Sequence, residues 1–160
     1  TLTTPKAIAL FEKFGIFTKA ELESREEILY ETYSKTINIE ALTMIDMAGK
    51  QIIPAVVKYA NSVAQSVLNV KEAGADATPQ QELLKKTTSL LAKMNEALEE
   101  LKRVEAEAAK MPAGKEQAFL YKDKVVAAMA ALRKPADELE MIVDKEMWPM
   151  PSYGDLMFEV

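Results

Sequence analysis

From Tyr30 onward, apolar or small side chains stand at Tyr33, Ile37, Ala41, Met44, Ala48, Ile52, Val56, Tyr59, Val63, Val67 and Val70, always three or four residues apart. The mean step, about 3.6, is the period of a straight α-helix, and the phase never breaks. The pattern therefore predicts one very long helix. Its start lies upstream at Thr18-Lys19-Ala20-Glu21, a capping box in which the threonine oxygen and the glutamate carboxylate each satisfy an orphaned backbone N–H. Pro54 falls inside the run and removes one helical hydrogen bond, so a kink is expected between Gly49 and Pro54. A short helix precedes it, opened by Thr4-Pro5 and closed by Gly15.

Gly74-Ala75-Asp76-Ala77 ends the long helix, and Thr78-Pro79-Gln80-Gln81 starts the next with a threonine cap. Leu83, Thr87, Leu90, Met94, Ala97, Leu101, Val104, Ala108 and Met111 then alternate steps of four and three, a heptad seam. Met111-Pro112-Ala113-Gly114 turns the chain. A second seam passes through Ala118, Val125, Met129, Leu132, Ala136, Leu139 and Val143, with Lys122 as a polar exception and Pro135 as a second kink. The two form an antiparallel hairpin, against which the C-terminal half of the long helix supplies a third helix. The N-terminal half would project, its apolar stripe covered by the first helix or by a body outside this chain. The fold class is all-α, a bundle built on one kinked helix and a hairpin.

Residues 1–147 read as one helical accessory domain and 148–160 as an extended tail. Trp148-Pro149-Met150-Pro151 is too rich in proline for a helix, and Leu156, Phe158 and Val160 alternate with Met157 and Glu159 as a half-buried strand would. A single strand has no partner within the chain, so the tail either packs on the bundle or pairs with a sheet elsewhere. Trp148, Met150, Tyr153, Leu156 and Phe158 are the candidate partner-contact residues, because large apolar side chains concentrate there.

Composition removes most enzymatic chemistry. The 160 residues include neither cysteine nor histidine, so the commonest transition-metal ligand, the commonest general base near neutrality and any thiolate nucleophile are missing. A lack of cysteine leans towards a reducing cytoplasm. The net charge of -5 is interspersed along the helices, which offers no basic stripe for nucleic acid. No apolar stretch approaches the roughly 20 residues of a membrane span, and Thr1-Leu2-Thr3-Thr4 lacks the features of a signal peptide. The missing initial methionine suggests a processed product or a piece of a longer chain.

Glu96, Glu99 and Glu100, with Glu105 and Glu107 beyond, fall off the seam and read as a solvated face rather than inward-facing metal ligands. Asp46 and Glu40, in the most apolar part of the long helix, are more interesting carboxylates but lack a companion base. Of nine methionines, Met94, Met111 and Met129 lie on the seams as core, while Met147, Met150 and Met157 sit beside the tail aromatics. The five glycines, at 15, 49, 74, 114 and 154, are scattered stops and turns, not a phosphate loop. No catalytic, cofactor-binding or metal-binding residue is assigned.

Lys35-Thr36-Ile37-Asn38-Ile39-Glu40-Ala41-Leu42-Thr43-Met44-Ile45-Asp46-Met47-Ala48, followed by Ile52-Ile53-Pro54-Ala55, resembles a segment near the C-terminus of type III glutamine synthetases. Lys145-Glu146-Met147-Trp148-Pro149-Met150-Pro151-Ser152-Tyr153-Gly154-Asp155-Leu156-Met157-Phe158 is similar to the closing segment of that family, and Phe14-Gly15-Ile16-Phe17-Thr18 with Glu21-Leu22-Glu23-Ser24-Arg25 to the approach to the same region. The resemblance implies a cytoplasmic, ring-shaped homo-oligomer that joins ammonia to glutamate with ATP and magnesium or manganese. None of the family's catalytic motifs maps onto these residues. The chain would then be a helical C-terminal module with a structural, oligomer-contact or regulatory role, inactive alone, whose partners are the rest of its polypeptide and neighbouring subunits. Two other readings are a free-standing helical adaptor and a sensor bundle holding an apolar or amino-acid ligand between helices.

Overall fold

A computed structural model describes residues 2–151 and 153–158, and among them every regular element is helical. Helix α1 (Pro5–Lys13) is capped by Thr4, whose hydroxyl accepts from the Ala7 N–H at 3.3 Å. Helix α2 (Lys19–Met47) opens on the expected capping box: the Thr18 N–H donates to Glu21 Oε2 at 2.7 Å, and the Glu21 N–H returns to Thr18 Oγ1 at 3.4 Å. A π-helical turn (Ala48–Ile52) joins α2 to α3 (Ile53–Glu72), giving 54 unbroken helical residues. The disturbance expected around Pro54 takes this form. Because the proline offers no N–H, the backbone widens one turn ahead of it, and the Ile53 N–H reaches back five residues to the Ala48 carbonyl.

Helix α4 (Thr78–Ala109) begins one residue earlier in its capping frame than the sequence suggests. Thr78 is already helical, and it is Asp76 Oδ1 that accepts from the Thr78 N–H at 2.9 Å and from its hydroxyl at 2.6 Å. Beyond the next turn come α5 (Lys115–Leu120), a second π-helical turn (Tyr121–Val125), α6 (Val126–Glu140) and a short α7 (Tyr153–Phe158). Helix α6 continues through Pro135, which is buried.

The chain divides into two compact units. The first comprises Thr1–Leu42 and Arg103–Ala127. Its core holds Leu22, Ala41, Val104, Ala108, Ala118, Tyr121 and Val125. The N-terminal half of α2 does not project as a bare stripe: it shares this unit with α1, the end of α4 and α5, because α4 runs for 32 residues. Gln117 Nε2 donates to the Ala108 and Met111 carbonyls, both at 3.1 Å, and so closes the open end of α4. Lys124 Nζ meets Glu107 Oε1 at 3.2 Å. Pairing of 117 with 108 and of 124 with 107 is the antiparallel order of the expected hairpin.

The second unit comprises Thr43–Lys102 and Ala128–Val160. Its core lines Val56, Val63 and Val67 with Leu90, Met94, Leu98, Leu101, Leu132, Leu139 and Val143. Each fully buried aliphatic side chain contributes roughly 1.5–3 kcal/mol from removal of apolar surface. Thr87 is also wholly buried, and it satisfies its hydroxyl within the helix by donating to the Leu83 carbonyl at 2.9 Å.

Four seam assignments, one in the first seam and three in the second, shift by one residue. In α4, Leu98 is buried where Ala97 was expected, and Ala97 is only half-buried. Between α5 and α6, Tyr121, Ala128 and Pro135 are buried where Lys122, Met129 and Ala136 were expected, and Lys122 is exposed. Tyr121 is the largest fully buried side chain, since its ring gains far more from leaving water than a lysine stem does.

The tail also departs from expectation. Residues Tyr153–Phe158 form a helical turn and a half, not a strand. Three alternating apolar residues are too short a pattern to separate the two periods, and Asp155 in the first turn favours the helix. Val160 lies outside the described residues.

Candidate contact surface and cavities

The tail is positioned by Asp144. Once α6 has ended, with the Ile142 and Val143 N–H groups both donating to the Leu139 carbonyl, the Asp144 carboxylate accepts from the Glu146 N–H at 2.8 Å. Its carbonyl accepts from Met147 N at 3.0 Å and Trp148 N at 2.9 Å. This side-chain-stabilised turn delivers Trp148 to the bundle, and Pro149 and Pro151 keep the next residues out of helix. Ten residues after Lys145, Asp155 Oδ1 sits 2.9 Å from its Nζ, which ties α7 back to that turn.

Of the five candidate contact residues, Trp148 and Met150 are half-buried and line a cavity of about 300 Å³ in the second unit. Leu156 and Phe158 are 67% and 78% exposed, with Met157 beside them at 70%. The Tyr153 side chain lies outside the described residues. The structure thus separates four of the five into a pair on the second unit and an exposed pair.

The cavity behind Trp148 is walled by Met44 and Met47 of α2, Ala48 and Ile52 of the π turn, Met94 of α4 and Ala136 of α6. Arg133, Asp137 and Glu140 stand at its side, with Arg133 Nε 3.3 Å from Asp137 Oδ2. Four methionines from three separate stretches meet here. In sequence only the Met44–Met47 spacing hints at it. A second cavity, of about 240 Å³, lies in the first unit between Glu31, Ser34, Lys35, Asn38, Gln117 and Tyr121. Ser34 Oγ and Asn38 Oδ1 are buried there without a hydrogen-bond partner.

The singled-out carboxylates are surface groups. Asp46 pairs with Lys50 one turn on, and Glu40 is exposed. Glu96, Glu99 and Glu100 are exposed, Glu99 meeting Lys102 at 2.7 Å. Among the described residues no three acidic side chains gather closely enough to hold a metal ion, and no helix is long and apolar enough to cross a membrane. The shifted protonation equilibria belong to structural positions. Glu21 is held below the usual carboxylate range chiefly by the Thr18 backbone N–H and then by the Thr18 hydroxyl. Asp76 is held down by the Thr78 hydroxyl and N–H. Burial pushes the Tyr121 phenol up, reinforced by Glu105, and raises Tyr59 likewise, with a smaller push from Asp144.

The described residues thus form a helical module with exposed apolar side chains on a tail tied to its second unit. Residues 1–71 match the family model of the glutamine synthetase C-terminal domain, a match that closes at the end of α3. The chain is 36% identical over 157 residues to a glutamine synthetase of Butyrivibrio fibrisolvens, covering 97% of itself and 22% of that protein. It is 28% identical over 163 residues to the type-3 glutamine synthetase of Dictyostelium discoideum, with 98% and 22% covered. Over 159 residues it is 28% identical to a glutamine synthetase of Bacteroides fragilis, with 96% and 22% covered. The chain belongs with the glutamine synthetases as their C-terminal region, residues 1–71 carrying the family's C-terminal domain. It spans 22% of the length of the relatives it matches.

Proposed function

We propose that this chain is the helical C-terminal module of a type III glutamine synthetase and serves assembly of the enzyme rather than its chemistry. The whole protein would join ammonia to glutamate with ATP and magnesium or manganese. The nucleotide and metals would be held by other parts of the polypeptide, because the carboxylates described here are dispersed on exposed helix faces. Leu156, Met157 and Phe158 are the contact residues of this reading, with Trp148 and Met150 seating the tail that carries them.

The observation that carries it is the exposure of Leu156 and Phe158 on a helix held in place by the Lys145–Asp155 pair. Apolar side chains of that size, grouped and fixed, gain most when a second surface covers them. The experiment is a double substitution, Leu156→Ser with Phe158→Ser, in the full-length enzyme, followed by sedimentation velocity. Smaller assemblies at equal protein concentration support the proposal, and an unchanged assembly with unchanged activity contradicts it.

A further inference from the structure

Helix α2 is built inside out over residues 28–42. The side chains it buries fully there are the small Ser34 and Ala41, while Ile28, Leu29, Ile39 and Leu42 are 57%, 58%, 65% and 46% exposed. An amphipathic helix packed on one side shows the reverse. Together with Thr32 and Thr36, also exposed, the four follow one another at steps of one, three or four and so share the outer face of the helix. Thr36 already donates its hydroxyl to the Thr32 carbonyl at 2.9 Å, so it leaves water without losing a hydrogen bond. The charge within this face, on Lys35, is paired with Glu31 one turn back.

The rest of the surface is not like this. Among the described residues no large apolar side chain is exposed from Asn69 to Ala118, so α4 turns to solvent the polar outer face of a helix that needs no cover. Charge and connectivity narrow what covers α2. A second copy of the chain, two-fold related about the middle of the face, would set Lys35 against its own counterpart, because 35 is the midpoint of 28–42. The polypeptide ahead of this region makes up most of the length of the relatives, of which the chain spans 22%. A body joined through the backbone meets α2 at an effective concentration that reaches roughly millimolar, above that of most free partners. We propose that the outer face of α2 docks on an apolar surface of the preceding part of the same polypeptide. Such a contact presupposes that the chain is the C-terminal module of a longer enzyme, and it lies within one subunit, whereas Leu156 and Phe158 serve contacts between subunits.

The test places a photoreactive benzophenone side chain at Thr36 in the full-length enzyme, with one at the exposed Glu96 of α4 as the reference. Irradiation of the Thr36 variant is expected to give a product of single-chain mass on a denaturing gel, in which peptide mapping finds α2 joined to the preceding polypeptide. Its yield is expected to exceed that of the reference by roughly tenfold or more. Adding Ile28→Glu and Ile39→Glu is expected to return the yield to the reference, since two charges would have to leave water. Both positions are exposed, so the same pair of substitutions leaves the thermal midpoint of the 160-residue chain nearly unchanged. A product of twice the chain mass, cross-links confined to residues 1–160, or a yield no higher than the reference overturns the proposal. An unchanged assembly in the Leu156→Ser, Phe158→Ser enzyme would sink the role given to the tail and leave the single-chain product standing, so the two readings fail separately.

Discussion

Lys145 Nζ lies 2.9 Å from Asp155 Oδ1, across ten residues that include two prolines, and this pair closes the tail into a loop over the end of the second unit. Lys145 is largely solvated, so the pair adds at most about 1 kcal/mol to global stability. Its effect is local: it fixes where Leu156, Met157 and Phe158 stand. The substitution Lys145→Ala is expected to leave the thermal midpoint nearly unchanged while speeding proteolysis within 149–158. Mass-spectrometric mapping of early cleavage products checks this.

The capping box sets a pH dependence at the start of α2. The folded protein holds Glu21 below its ordinary value of 4.5, so the stability it contributes is fully present above that value and is lost as pH falls through the lower folded one. Glu21→Gln should flatten acid unfolding in that window. Thr18→Ala, which removes the N-cap oxygen, should cost about 1 kcal/mol at neutral pH and only reduce the acid step, because the Thr18 backbone N–H still reaches the carboxylate. Denaturant titrations at several pH values measure both.

Tyr121 and Lys122 discriminate between the two seams. Tyr121→Ala is expected to destabilise by about 3–5 kcal/mol, as for other large buried aromatic truncations, and Lys122→Ala by no more than about 0.5 kcal/mol. The phenol's raised titration adds a sign: stability is complete below the unfolded value and is lost as pH climbs through the folded one, above 10. Tyr121→Phe should weaken that alkaline loss. Equal costs for the two alanine variants would return the seam to Lys122.

The short first helix, the long disturbed helix and the hairpin were legible because their causes are local, whereas the short C-terminal helix was not. Thr4, Thr18 and the glycines with left-handed backbone at positions 15 and 74 satisfy or stop a helix wherever it goes. What escaped was set by neighbours distant in sequence. A spacing of three or four fits Lys122 as well as Tyr121, and only burial in the core of the first unit selects the ring. The tail's alternation carried too few residues to exclude a helix, and the Asp155–Lys145 pair that helps hold it spans ten positions. The methionine cavity draws on α2, α4 and the tail at once, so no window along the chain displays it.

The most direct measurement compares the full-length enzyme with a version lacking the segment equivalent to residues 1–160, reading assembly size by sedimentation and glutamine formation in parallel, and assays the isolated chain beside them. The account predicts that removal reduces the assembly and with it the activity, while the isolated chain forms no glutamine. An enzyme that keeps both its size and its rate without this region, or turnover by the chain alone, would contradict it.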